Sequence, residues 1–123
     1  MEQNVIAVIW DFDKTLVRGY MQKPIFEKYK VDESLFWDEV NQLYDKYQEQ
    51  GINVNKETIY LNHIITCTHQ GIFEGLNNSL LRKVGQELEF YEGIPEIFTD
   101  LKNKVEKNEK YQKHSITLEH DIV

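Results

Sequence analysis

Near the start of the chain stands an unbroken apolar run, Val5-Ile6-Ala7-Val8-Ile9-Trp10, rich in β-branched side chains. A run this short and this continuous predicts a strand buried on both faces of a parallel sheet. Gly19 and Pro24 then break the pattern, which predicts a turn or short extended excursion over 17–24. From Asp32 to Gln50 the period changes: Phe36, Val40, Leu43 and Tyr47 make one stripe of a 3.6-residue helix. Asp32 is suited to cap its start, and Gly51 to end it in the left-handed conformation. A second helix is expected over about 56–68, after the cap candidates Asn53 and Asn55, and a third, shorter one over about 78–84. Pro95 fits the first turn of a further helix whose stripe is Ile97, Phe98, Leu101 and Val105. The charged run over 102–113 reads as a solvated helix end and a loop. Ile116, Leu118 and Ile122 then alternate with polar residues, predicting a second strand over 115–123. Asp121 is a charge within that strand and implies that it lies exposed there.

The order is therefore strand, turn, long helical stretch, helix, strand, with no internal repeat. At 123 residues, 41% hydrophobic and 28% charged, the composition is that of a soluble globular domain or a portion of a larger one. A formal charge of −7 argues against nucleic acid or an anionic membrane as a main partner. The single cysteine, Cys67, has no internal partner for a disulfide, which fits a reducing compartment. Met1-Glu2-Gln3-Asn4 lacks a basic region, and the apolar run after it is too short for a signal peptide or a membrane span. A cytoplasmic protein is the expectation.

Two acids, Asp11 and Asp13, follow the first strand directly. The carboxyl ends of strands are where open α/β sheets place their chemistry. A bare Asp-x-Asp can also be a strand exit whose carboxylates cap local amides. Further along, His63 and Cys67 share a helical face, but His69 sits about a third of the way round. Zinc needs a fourth ligand and a tighter grouping, so these three read as packing or surface. Phe36, Trp37, Tyr44, Tyr47 and Tyr60 read as core, some of them on a face that could close over a substrate.

The string Asp11-Phe12-Asp13-Lys14-Thr15-Leu16 after an apolar strand resembles the signature of the haloacid dehalogenase-like superfamily of phosphohydrolases, Asp-x-Asp-x-Thr followed by an apolar residue. The resemblance implies an α/β fold, a Rossmannoid parallel-sheet core, incomplete here, with an inserted all-helical cap. It divides the chain into a first strand and catalytic turn (1–19), a helical cap insertion (20–88) and a core helix with the second strand (89–123). Tyr91-Glu92-Gly93-Ile94-Pro95 is similar to the re-entry from such a cap.

The roles implied are a Mg2+-dependent phosphatase acting on a small phosphomonoester. Asp11 is the nucleophile that becomes an aspartyl-phosphate. Mg2+ is bound by the Asp11 side chain and the Asp13 backbone carbonyl. Asp13 is the general acid and base, Phe12 and Asp13 amides hold the phosphate, and Thr15 supports the turn. Arg18 is close enough in sequence to reach an anionic substrate, although a solvated turn residue is the plainer reading. The family's later hydroxyl, lysine and acidic cluster have no counterpart before Val123, so the expectation is a truncated, inactive portion that self-associates through open sheet edges. A dehalogenase, a phosphonate hydrolase or a phosphomutase would use the same nucleophile. The alternative from another class is a non-catalytic interaction module. A receiver domain phosphorylated on aspartate fits less well, since its acceptor lies on a later strand.

Overall fold

The computed structural model describes residues 4–123. The segment 1–3, on which the expected lack of a leader rests, lies outside the described residues. The elements run β1 (Val5–Trp10), α1 (Lys23–Tyr29), α2 (Glu33–Glu49), α3 (Ile59–His69), α4 (Asn78–Gly85), α5 (Glu96–Glu106), α6 (Glu109–Gln112) and β2 (Thr117–Ile122). This is an α/β arrangement. Its residues fall into two compact units, one comprising Met1–Met21 with Leu88–Val123, the other Gln22–Glu87.

In the first unit β1 and β2 pair in parallel, in register from Val5 opposite Thr117 to Trp10 opposite Ile122. Among the described residues the sheet has these two strands. That corrects one expectation: β1 is not buried on both faces. Val5 is 57% exposed and Ile9 64%, because a two-stranded sheet leaves a strand with one neighbour and α5 packs on β2. Asp121 is exposed, as the charge in that strand implied. Leu118 is the buried position of β2.

A polar relay ties the carboxyl end of β1 to α5. The Trp10 indole N–H donates to His120 Nδ1 at 3.0 Å. Because Nδ1 accepts, the ring hydrogen of neutral His120 sits on Nε2 and donates to the Phe98 carbonyl at 2.9 Å. Trp10 and Phe98 also meet edge to face, their centroids 5.5 Å apart.

The second unit is all helical. Its core is Ile25, Phe26, Phe36, Val40, Ile59, Cys67, Phe73 and Val84, with Trp37, Tyr44, Tyr47 and Tyr60 packed around it. α2 starts where the Asp32 side chain accepts from the Leu35 N–H at 3.0 Å, and Gly51 beyond its end has φ +71°. Two boundaries differ from the sequence expectation. α1 forms where a turn was expected, since Pro24 lies in its first turn, where the missing N–H costs nothing. α3 begins three residues later than expected, because the Asn55 side chain accepts from the Glu57 N–H at 2.8 Å and holds a turn there. No helix among the described residues is long and apolar enough to cross a membrane.

Candidate functional site

The turn after β1 is built from local backbone bonds. The N–H groups of Thr15, Leu16 and Val17 all donate to the Phe12 carbonyl, at 3.2, 3.0 and 3.3 Å. Lys14 takes φ +59°, a left-handed conformation that costs a side-chain-bearing residue about 1–2 kcal/mol. It is held there by its N–H donating to the Gly19 carbonyl at 3.1 Å. Leu16 and Val17, each 1% exposed, anchor the turn from below. A short antiparallel contact then joins this segment to the chain at 89–91. Arg18 N–H donates to the Glu89 carbonyl at 2.9 Å, and Tyr91 N–H to the Leu16 carbonyl at 3.0 Å. The Phe12 ring packs edge to face on Phe90, 6.3 Å away.

On this base the two carboxylates point to different partners. Asp11 is exposed, and its Oδ2 accepts from the Thr15 hydroxyl at 3.0 Å. Asp13 Oδ1 accepts from the Met21 N–H at 2.8 Å. Asp11 and Thr15 are thus brought together, while Asp13 is tied to the chain closing the turn. The nearby cations are already engaged. Lys14 Nζ donates to the Tyr20 hydroxyl at 2.8 Å and sits 4.1 Å from that ring's centroid. This bond raises the Lys14 pKa above its usual 10.5. The Arg18 guanidinium lies over the Tyr91 ring, 5.3 Å from its centroid.

The Asp11 carboxylate, with one oxygen bonded to Thr15, is an exposed oxygen donor of the kind a hard divalent ion takes. Such a donor suits Mg2+, which takes one or two carboxylates and keeps several waters.

A second cluster arises where α2 meets α3. His63 and Cys67, one turn apart, face Glu39: His63 Nε2 lies 2.8 Å from Glu39 Oε2 and 3.6 Å from Cys67 Sγ. The three ligand-type atoms lie within 4.8 Å of one another. His69 ends α3 and does not join them. Sequence spacing paired His63 with Cys67 but missed Glu39, which stands three residues after Phe36 at the edge of the apolar stripe of α2. That position was the available signal. Burial, and then the Glu39 charge, raise the Cys67 thiol above its usual 9.0.

No family model matches the chain, and no solved structure matches it. An uncharacterized protein of Borreliella burgdorferi is 42% identical over 113 residues, covering 89% of this chain and 40% of that protein. The chain thus spans about two-fifths of the length of the curated relative it matches, and that relative's name assigns no activity.

Proposed function

We propose that Asp11 and Asp13 form the nucleophile and proton carrier of a Mg2+-dependent phosphohydrolase of the haloacid dehalogenase-like type, acting on a small phosphomonoester. One observation carries the reading: an Asp-x-Asp turn at the carboxyl end of a parallel strand, with the first acid exposed and fixed by Thr15. The helical unit over Gln22–Glu87, inserted between the turn and the second half of the core, takes the place of a cap.

In this reading an Asp11 carboxylate oxygen forms a bond to phosphorus while the ester oxygen–phosphorus bond breaks. A carboxylate is ionised at neutral pH by its ordinary chemistry, so no base is required to activate it. The leaving alkoxide takes a proton from Asp13, which must enter the cycle as the neutral carboxyl with the proton on Oδ2, Oδ1 being bonded to Met21. Water then attacks the aspartyl-phosphate and Asp13 recovers the proton, releasing phosphate and free Asp11. Mg2+, when bound, neutralises charge between the carboxylate and the phosphoryl oxygens. The Phe12 and Asp13 amides hold the phosphate, and Thr15 keeps the Asp11 carboxylate in one rotamer. Lys14 and Arg18, each held on a tyrosine, are not aimed at the acids, so turnover by this chain by itself is expected to stay near background. Losing a single preorganised donor already costs about 10²–10³ in rate.

The test therefore reads binding at Asp11 rather than turnover. In 19F NMR with Mg2+ and beryllium fluoride, a phosphoryl mimic, the chain should give a bound signal that requires Mg2+ and disappears in Asp11→Asn. No bound signal in the unaltered chain, or an equal one in both, removes the proposal. The second reading, a non-catalytic interaction module, is favoured by the engagement of both neighbouring cations with tyrosines. It predicts the null result.

A further inference from the structure

We propose that Glu39, His63 and Cys67 form a second metal site, distinct from the two aspartates, that takes zinc through a carboxylate, an imidazole and a thiolate. Carboxylate, imidazole and thiolate are each zinc ligands, and the mixture of hard and soft donors suits this borderline ion rather than Mg2+.

The geometry separates this from other uses of the same residues. Zinc bonds of about 2.0–2.3 Å make the edges of a tetrahedron roughly 3.3–3.7 Å long. The 3.6 Å between Cys67 Sγ and His63 Nε2 already matches such an edge. The 2.8 Å between Nε2 and Glu39 Oε2 is a hydrogen bond, and it opens by about half an ångström when an ion replaces the hydrogen. A nucleophilic cysteine relay needs the thiol on one ring nitrogen and the acid on the other. Here both partners converge on Nε2, leaving no nitrogen between them to pass a proton.

The surroundings complete the site. The Phe36 ring, 2% exposed, lies 5.0 Å from the His63 ring and fixes its orientation. Cys67 is 2% exposed, while Glu39 lies toward solvent. A cavity of about 220 Å³ is lined by Val31, Leu35, Phe36, Glu39, Cys67 and Ile72 among others, so two of the three ligands, Glu39 and Cys67 but not His63, face open space. Three protein ligands are one fewer than a closed structural zinc site holds, so the fourth place falls to water. On binding, Cys67 gives up its thiol proton to solvent, and His63 Nε2 exchanges its hydrogen bond with Glu39 for a bond to the ion.

Zinc titration of the whole chain against a chromophoric chelator, with the dialysed protein reduced beforehand, tests this. One ion per chain should bind. Glu39→Gln and Cys67→Ser should each weaken it by at least the 10–100-fold that loss of a supporting group alone costs. Replacing zinc by Co2+ should give a thiolate-to-metal charge-transfer absorption that Cys67→Ser removes and Asp11→Asn leaves intact. Glu39 is on the surface, so Glu39→Gln keeps the test valid should the buried cysteine substitution fail to fold. Binding unchanged in Glu39→Gln, a Co2+ spectrum without the sulfur band, or a site lost in Asp11→Asn each overturns the proposal.

Discussion

Lys14 links backbone conformation to side-chain chemistry at the head of the acidic turn. Its left-handed φ is unusual for a residue with a Cβ, and its ammonium is bonded to Tyr20 six residues on. The Tyr20 bond holds the folded-state pKa above 10.5. The folded state therefore binds this proton more tightly than the unfolded chain does. Stabilisation by the pair is fully present below about 10.5 and fades as pH rises through the raised value. In Tyr20→Phe, NMR titration of the Lys14 side chain should show its midpoint move down toward 10.5; an unmoved midpoint would break the assignment. At this scale the acidic turn was legible in the sequence because the backbone bonds onto the Phe12 and Gly19 carbonyls that shape it are local, whereas its pairing with Glu89–Tyr91 was not. Glu39 was not. Its place at the edge of the α2 stripe put it near the helix interface, but its meeting with His63 depends on how two helices pack, which the stripe by itself does not give.

The same division holds among the elements. α2 was readable at both ends, because a cap at Asp32 and a glycine at position 51 mark them chemically. α1 was hidden by Pro24, since a proline in the first turn and a proline in a loop look alike in sequence. The burial of β1 was overestimated because an apolar run reports what a strand could bury, not how many neighbours cover it. α4 offers a direct measure of what one cap contributes. The Asn77 side chain accepts from the Leu80 N–H at 2.9 Å, and the flanking backbone is extended as an N-cap requires. Asn77→Ala should destabilise the helical unit by about 1 kcal/mol, read as a lower urea midpoint with unchanged slope. A change below a few tenths would mean that water replaces the cap at no cost.

At the scale of the molecule, exposed apolar residues are spread over several elements, and one group of them lies on the paired strands. Val5, Ile6 and Ile9 of β1, Ile122 at the end of β2 and Val123 just beyond it are all more than a third exposed. Open strand edges beside such residues promote pairing with other chains. Sedimentation velocity should show association that grows with protein concentration, and Ile9→Lys should suppress it. A monomer at every concentration would show that the net charge of −7 is enough to keep copies apart.

The pairing of Leu16–Arg18 with Glu89–Tyr91 carries a consequence for how the molecule can be rearranged. The stretch over 22–87 leaves and rejoins the rest of the chain at a single root, where donor and acceptor are 2.9–3.0 Å apart. Such a root can be bridged by a handful of glycines without spreading its two stems. Shortening the tether from more than sixty residues to about four removes roughly 2 kcal/mol of ring-closure entropy. Replacing the helical stretch by such a linker is expected to leave the Leu16–Arg18 pairing with Glu89–Tyr91 in place, read from the amide shifts of those residues. A different helical module could be grafted onto the same stems while the aspartate turn keeps its shape.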